Sequence, residues 1–389
     1  MKILQIVPYF YPAWSYGGPA KLVFDTSCYF AEKGHLVTVY TSDGYDKEKR
    51  MPKELYVTKN GITVRYFKNI HNQLAYVYNL FLTPGLYLKA LQEVPKQDCI
   101  HIHDFYTLQN FWIGILARIF KIPYILSVHG CLEEVRMGQR SVFKQLFYSL
   151  YGKQLLHHAA VVIATSENEK ADYLKHGVTK EKITMLGHGV SATEFQTKVT
   201  KEVAKKKLKL KTSQPLVTFL GRIHAVKGLD LLVEAVALLK DESFSVVIAG
   251  SDDGYLEELK NRITNLGIAK KITLLPACFG EQKALLFKAS DVFVYPSYSE
   301  GFSLGILEAA AVGLPLVLTE GCHFPEVTVQ KAGLVVAPNP AKIAKAIRDL
   351  LQDTKKRTLF GTNAAAFVEK KYSMEAIGNR LLDIYAQVI

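Results

Sequence analysis

Short apolar, β-branched runs recur along this chain, each closed by glycine or a polar loop and followed by a segment of helical spacing. Residues 2–8 read as a strand, a helix follows from about Ala20 to Glu32, and Leu36–Tyr40 reads as the next strand. That is one βαβ unit with a glycine-rich first loop, Tyr11-Pro12-Ala13-Trp14-Ser15-Tyr16-Gly17-Gly18-Pro19-Ala20. Gly61–Phe67 predicts a further strand at a sheet edge. Asn72–Gln92 is apolar and aromatic, interrupted by Pro84-Gly85. Asp98–Asp104 predicts a buried strand with His101 and His103, read as structural. Leu108–Phe120 predicts a helix, and Pro123–Val128 a strand that delivers His129-Gly130. A long helix with Phe143, Leu146, Phe147, Leu150, Tyr151, Leu155 and Leu156 leads to a strand at Val161–Ser166. The second half repeats the pattern, with strands at Gln214–Leu220, Ser245–Gly250, Ile272–Leu275, Asp291–Tyr295 and Pro315–Thr319. Its helices fall at 229–239, 255–266, 304–312 and 341–352, and the tail Met374–Ile389 is helical. Continuous apolar strands alternating with helices imply parallel sheets covered on both faces, hence an α/β fold.

The densest chemistry lies at Tyr295-Pro296-Ser297-Tyr298-Ser299-Glu300-Gly301-Phe302-Ser303-Leu304-Gly305-Ile306-Leu307-Glu308. Pro296 donates no ladder bond, so the strand stops there. A loop then opens a helix at Leu304 that Gly313 closes. The amides of Gly301, Phe302, Ser303 and Leu304 stand at a helix start, where the dipole favours an anion. Glu300 and Glu308 flank that point. A carboxylate accepts two hydrogen bonds from adjacent sugar hydroxyls, so the pattern suits a nucleotide sugar with its phosphates between the two acids. Glu308 sits in an apolar run, where a lone Glu is rarely buried unless paired. A second phosphate signature follows the strand ending at Leu220: Gly221-Arg222, then Lys227-Gly228. Arg222 offers a fork to two oxygens and Lys227 a point charge.

Length and composition leave this picture intact. The 389 residues suffice for two cores, and 49% hydrophobic with 22% charged residues is a globular balance. No apolar run is long enough to span a bilayer, and the apolar start reads as a strand rather than a signal peptide. Cys28, Cys99, Cys131, Cys278 and Cys322 are scattered without a CxxC pair, which points to a reducing cytoplasm and against a zinc site. The net charge of +12 is shared evenly, 22 basic against 16 acidic over residues 1–197 and 26 against 20 over 198–389. One lysine run stands out (Lys198, Lys201, Lys205, Lys206, Lys207, Lys209, Lys211). It reads as a solvated linker or as a contact to anionic lipid headgroups. Nucleic acid is disfavoured, since no aromatic residues interleave with the basic ones.

Glu300-Gly301-Phe302 with Glu308, together with Gly221-Arg222 and Lys227-Gly228, resembles the retaining glycosyltransferases of family 4, which have the GT-B fold. The resemblance covers nearly the whole chain. It implies two Rossmann-like βαβ domains facing across a cleft: an acceptor-side domain at 1–197, a nucleotide-sugar domain at 198–372, and a tail at 373–389 packed back on the first. By this resemblance Gly17 and Gly18 belong to a loop facing the donor phosphates and acceptor, and His129 contacts the donor sugar. Arg222 and Lys227 hold the diphosphate, Glu308 the ribose, and Glu300 the sugar hydroxyls. The resemblance also covers Gly187-His188-Gly189-Val190, with His188 where the family has Asn. Pro276-Ala277-Cys278 departs from the family's usual glycine and leaves the base open. The implied activity is metal-independent hexosyl transfer, with no cofactor, from a UDP- or GDP-sugar to a glycan or lipid-linked acceptor, as in cell-surface polysaccharide biosynthesis. The protein would be cytoplasmic, with the inner-membrane surface as a partner through the lysine run and segment 74–87. The alternatives are a nucleotide-sugar 2-epimerase of the same fold and a non-catalytic binding homologue.

Overall fold

The structure is a computed structural model that describes residues 1–13, 18–45, 49–51, 56–59, 61–78, 80–132, 141–211 and 213–389, with backbone alone at 56–59, 76–78 and 141–143. The chain divides into two units, Met1–Gly189 with Met374–Ile389, and Val190–Ser373. The division falls ahead of the expected 197/198 boundary because Phe195 sets its ring edge-on to Phe287 of the second unit. Among the described residues no helix is long and apolar enough to cross a membrane.

The strands of unit 1 are β1 Lys2–Ile6, β2 Leu36–Ser42, β3 Tyr56–Lys59, β4 Ile62–Phe67, β5 Cys99–His103, β6 Tyr124–Ser127, β7 Val161–Ala164 and β8 Ile183–Met185. They form one sheet in the order β3-β4-β2-β1-β5-β6-β7-β8. β1 beyond Lys2 and all of β5 lie buried, as strands covered on both faces must be, with Gln5, His101 and His103 the polar side chains among them. The strand expected at an edge, β4, is interior: it runs parallel to β2 and antiparallel to β3. The signal for β3 stands in the sequence as Asn60-Gly61, the strongest short hairpin cue. Lys59 pairs with Ile62 across it, and Gly61 has φ +80°. The aromatic segment forms two helices, Asn72–Tyr78 and Pro84–Glu93. The long helix expected after His129 is three pieces, with one wide π turn at Tyr148–Gly152 between Ser141–Phe147 and Lys153–His158.

The last helix, Met374–Val388, belongs to unit 1. Gly378 lets it lie against the Tyr29 ring, which a Cβ there would meet at 2.3 Å. Asn379 accepts a 2.7 Å hydrogen bond from Tyr29, and the Tyr385 ring packs edge-on to Phe30.

Unit 2 carries β9 Leu216–Leu220, β10 Ser245–Ala249, β11 Ile272–Leu275, β12 Val292–Tyr295, β13 Leu316–Thr319 and β14 Gly333–Val336. The order is β11-β10-β9-β12-β13-β14, and every pairing is parallel. This is the doubly wound Rossmann order, whose direction of winding reverses between its first and fourth strands. In unit 2 that point is β9/β12, and in unit 1 it is β1/β5. Ligands of open α/β sheets bind beyond the carboxyl ends of the strands at such a point.

The lysine run is not a linker. Helix Lys201–Lys207 packs into unit 2, and Lys201, Lys205 and Lys207 each have a partner. Lys201 pairs with Asp291 at 2.5 Å, Lys205 is buried with Nζ donating to Gln214 O at 2.6 Å, and Lys207 pairs with Glu281 at 3.1 Å. The apolar faces of Ala204 and the Lys205 stem supply the burial that composition alone does not suggest.

Candidate functional site

The reversal point of unit 2 gathers most of the residues expected to bind a donor. β9 ends at Leu220, and its loop runs through Arg222 to a short turn at Ala225–Lys227 that His224 caps. β12 ends at Tyr295, and its loop runs through Ser297 and Glu300 to helix Leu304–Ala311. The two loops are laced together. Tyr298 N donates to Val226 O at 2.8 Å, and Ser297 Oγ lies 2.8 Å from the same oxygen. Gly228, at φ +63°, makes this approach feasible, since a Cβ there would sit 2.0 Å from Pro296 O.

Lacing brings Lys227 and Glu300 into an ion pair, both about nine-tenths buried. Ser297 Oγ lies 2.9 Å from Glu300 Oε1, and Glu300 N donates to Gly321 O at 2.8 Å, so side chain and backbone are each anchored. Glu308 is 5% exposed and takes both its oxygens to Lys283 Nζ, each at 2.9 Å. Lys283 is the partner that a Glu in an apolar run demands, and it comes from helix Gly280–Ala289, where nothing in its local spacing marks it. Arg222 is half exposed and pairs with Asp253. Asp252 caps the next turn, accepting from the amides of Gly254, Tyr255 and Leu256 at 3.0–3.2 Å.

Leu304 begins its helix with Ser303 as N-cap, and the Ser303 side chain makes no capping bond. The first-turn amides therefore keep the anion-attracting character of an uncapped start. Phe302 is oriented away from polar chemistry: its ring lies 5.8 Å from Phe324 and 5.6 Å from Tyr372, in an aromatic cluster with Phe367. What Phe302 offers a ligand is its backbone. In the 276–278 loop, Cys278 Sγ donates to Pro276 O at 3.4 Å, and burial raises its thiol pKa. Glu326 pairs with Lys371 at 3.1 Å.

The reversal point of unit 1 is built from imidazoles. Gly17, with Trp14, Ser15 and Tyr16, lies outside the described residues, and Gly18 is the first residue of helix Gly18–Glu32 rather than part of the loop. His129 stands at the end of β6 with φ +53°, a left-handed conformation that non-glycine residues rarely hold. The turn is fixed from below: Gly130 N donates 2.8 Å to Glu169 Oε1, while Thr165 N and Oγ1 donate to Glu169 Oε2 at 2.7 Å. Ser166-x-x-Glu169 is a helix-start signature, and it was the available clue to this anchor. The His129 ring stacks on His103 (5.4 Å, 8°), which in turn lies 4.0 Å from His101, and His188 sits 5.7 Å from His129. Burial lowers His101 and His188 to about 3 and puts His103 well below its usual range. His101, His103 and His188 are thus uncharged hydrogen-bonding groups, unlike the paired charges of unit 2.

Comparison with known proteins was made on this basis. The model for glycosyl transferases group 1 matches residues 200–367, and that for Glycosyltransferase Family 4 matches residues 16–194. The chain is 30% identical over 324 residues to the lipopolysaccharide core biosynthesis mannosyltransferase LpsB of Rhizobium meliloti, covering 79% of this chain and 88% of that one. It is 28% identical over 397 residues to an uncharacterized glycosyltransferase of Methanocaldococcus jannaschii, covering 99% and 98%. Among solved structures, HepE of Anabaena in complex with UDP and glucose superposes with a TM-score of 0.79 at 20% identity, over 100% of both chains. With its two parallel-sheet Rossmann-like units, the chain belongs to the glycosyltransferases of the group 1 and family 4 type, of GT-B fold.

Proposed function

We propose that this glycosyltransferase moves a hexosyl group from a nucleoside-diphosphate sugar to a glycan or lipid-linked acceptor, with retention at the anomeric carbon and without a metal ion. The observation that carries the reading is the buried Lys227–Glu300 pair at the β9/β12 reversal point, one turn ahead of an uncapped helix start. The diphosphate lies on Arg222, Lys227 and the amides of Gly301 to Leu304. Glu300 accepts from hydroxyls of the sugar and Glu308 from those of the ribose, while His129 of unit 1 serves the transferred sugar.

In this reading the leaving phosphate oxygen departs from C1 with the bonding pair. The acceptor oxygen attacks the same face and gives its proton to that phosphate, so no protein base is needed. Arg222 and Lys227 stabilise the charge that grows on the diphosphate. The metal-independent reading is supported by the uses already made of Asp252 and Asp253, one capping a turn and one paired with Arg222. HepE, solved with UDP-glucose, favours a uridine donor here, and LpsB, a lipopolysaccharide core mannosyltransferase, favours a surface-glycan acceptor.

Thermal-shift titration with UDP, GDP and ADP tests the donor, since a ligand of the folded state alone raises apparent stability. Arg222→Ala and Glu300→Ala should each lower turnover by about 10²–10³-fold. Wild-type turnover in both variants would falsify the assignment. NMR of the product's anomeric proton decides retention against inversion.

A further inference from the structure

The imidazoles of unit 1 are joined in a single hydrogen-bonded series that ends on the last helix of the chain. His103 Nε2 lies 2.8 Å from Gln5 Oε1, and His103 Nδ1 lies 3.2 Å from His129 Nε2. The Gln5 amide donates through Nε2 to Tyr385 Oη at 3.4 Å. Tyr385 Oη is 2.6 Å from His101 Nδ1, and His101 Nε2 is 2.9 Å from Ser127 Oγ. Gln5, His101, His103 and Tyr385 are all buried.

A neutral imidazole has one N–H and one lone pair, so each ring passes on a single direction. Burial keeps His101 and His103 in that neutral form. The Gln5 carbonyl accepts only, so His103 must carry its proton on Nε2. Its Nδ1 is then a lone pair, and the atom facing it, His129 Nε2, must be the donor. At the other end, the Gln5 amino group donates to Tyr385, the phenol hydrogen goes to His101 Nδ1, and His101 Nε2–H goes to Ser127. Every bond is satisfied in one order, and such chains reinforce themselves by mutual polarisation. Turning the Gln5 amide over would reverse all of them and move the His129 proton to Nδ1.

We infer that Gln5, His103 and Tyr385 are positioning residues that fix the His129 ring with a proton on Nε2, directed at His103, and so set which ring atom is turned to a hydroxyl of the sugar. The proton positions follow from the orientation of the Gln5 amide, whose oxygen faces His103. The ligand of His129, a sugar hydroxyl, rests on the donor reading above. A cavity of about 20 Å³, lined by His101, His103, Ser127, His129 and His188 among others, adjoins the rings and is large enough for one hydroxyl-sized group. The arrangement gives the C-terminal helix a chemical task, since Tyr385 completes the series from 380 residues beyond Gln5 in the chain.

The experiment is ring-¹⁵N histidine NMR on the full chain without ligand at pH 7.5, with His129 assigned by through-bond correlation and checked with His129→Asn. The expected result is a pyrrole-type Nε2 and a pyridine-type Nδ1 at His129. A pyridine-type Nε2, or an even mixture, overturns the inference. Gln5→Leu should scramble the His129 tautomer, and Gln5→Glu, which still accepts from His103, should preserve it. If Gln5→Leu does not fold, Tyr385→Phe takes its place, with a partial shift expected. A His129 signal unmoved in whichever of these two folds overturns the relay even if the wild-type tautomer is the expected one. Gln5→Leu should also lower kcat/KM roughly five-fold, the worth of one hydrogen bond, with Gln5→Glu restoring it. Full activity in His129→Ala would remove the ligand role while leaving the NMR result standing, so the two readings fail separately.

Discussion

Both units reverse their winding at one point of a doubly wound sheet and use that point in opposite ways. In unit 2 the loops beyond β9 and β12 hold fixed charges in pairs, Lys227 with Glu300 and, close by in sequence, Lys283 with Glu308. In unit 1 the ends of β5 and β6 hold stacked imidazoles, of which burial keeps His103 uncharged. Paired charges are costly to bury, and they set cations beside carboxylate acceptors, which suits a polyanion and the hydroxyls beside it. Neutral rings recognise by hydrogen-bond direction and leave the local potential low. One fold therefore supplies paired charges at one reversal point and hydrogen-bonding imidazoles at the other, and the difference lies in the side chains placed there.

That contrast can be broken most forcefully at Lys227. Lys227→Ala leaves Glu300 buried beside a vacancy, so turnover should fall about 10²–10³-fold and stability by about 3–5 kcal/mol. Arg222→Ala should match it in rate but not in stability, because its exposed pair with Asp253 contributes at most about 1 kcal/mol. Kinetics and urea melts on both variants separate the two effects, and equal stability losses would sink the distinction. Next in size, Lys283→Met uncovers Glu308 and should cost about 3–5 kcal/mol, with weakened nucleoside-diphosphate binding by calorimetry. Unchanged affinity would remove Glu308 from the ribose.

The imidazoles of unit 1 respond instead to pH. His101 and His188, lowered to about 3, gain a proton far more readily in the open chain, where the ordinary value is 6.5. The unfolded state thus binds more protons below 6.5, so stability is full above that value and declines as pH falls from 6.5 towards 3. Melts at pH 7.5 and pH 5 should differ by on the order of 2 kcal/mol per buried histidine. His101→Gln should flatten part of that slope, and an unchanged slope would mean that His101 titrates normally in the fold. The smallest effect is expected at Phe302. Phe302→Leu should cost less than about 1.5 kcal/mol and leave nucleotide affinity unaltered, because its ring serves the Phe324–Tyr372 cluster and only its backbone faces the proposed anion site.

Much of the fold was legible because burial on both faces writes continuous apolar runs such as Leu216–Leu220 and Val292–Tyr295. The site was legible where chemistry is local: Glu300-Gly301 at a helix start, Arg222 and Lys227 within one loop, Gly228 where only glycine fits. What misled the reading was equally specific. Lys201, Lys205 and Lys207 look like a solvated run, yet each finds a partner that the sequence places 9 to 90 residues away. β4 is interior because β3 pairs with its second edge.

The sequence by itself determined most of the strands and many of the helices, that the sheets would be largely parallel, and which residue types would end up at the strand ends. Only the tertiary structure decided the pairings: Lys283 with Glu308, Glu169 beneath the His129 turn, and Gln5 with Tyr385. A local pattern is read from residues within a few positions of each other, whereas an ion pair or a proton direction is set by groups that chain closure brings together from far apart.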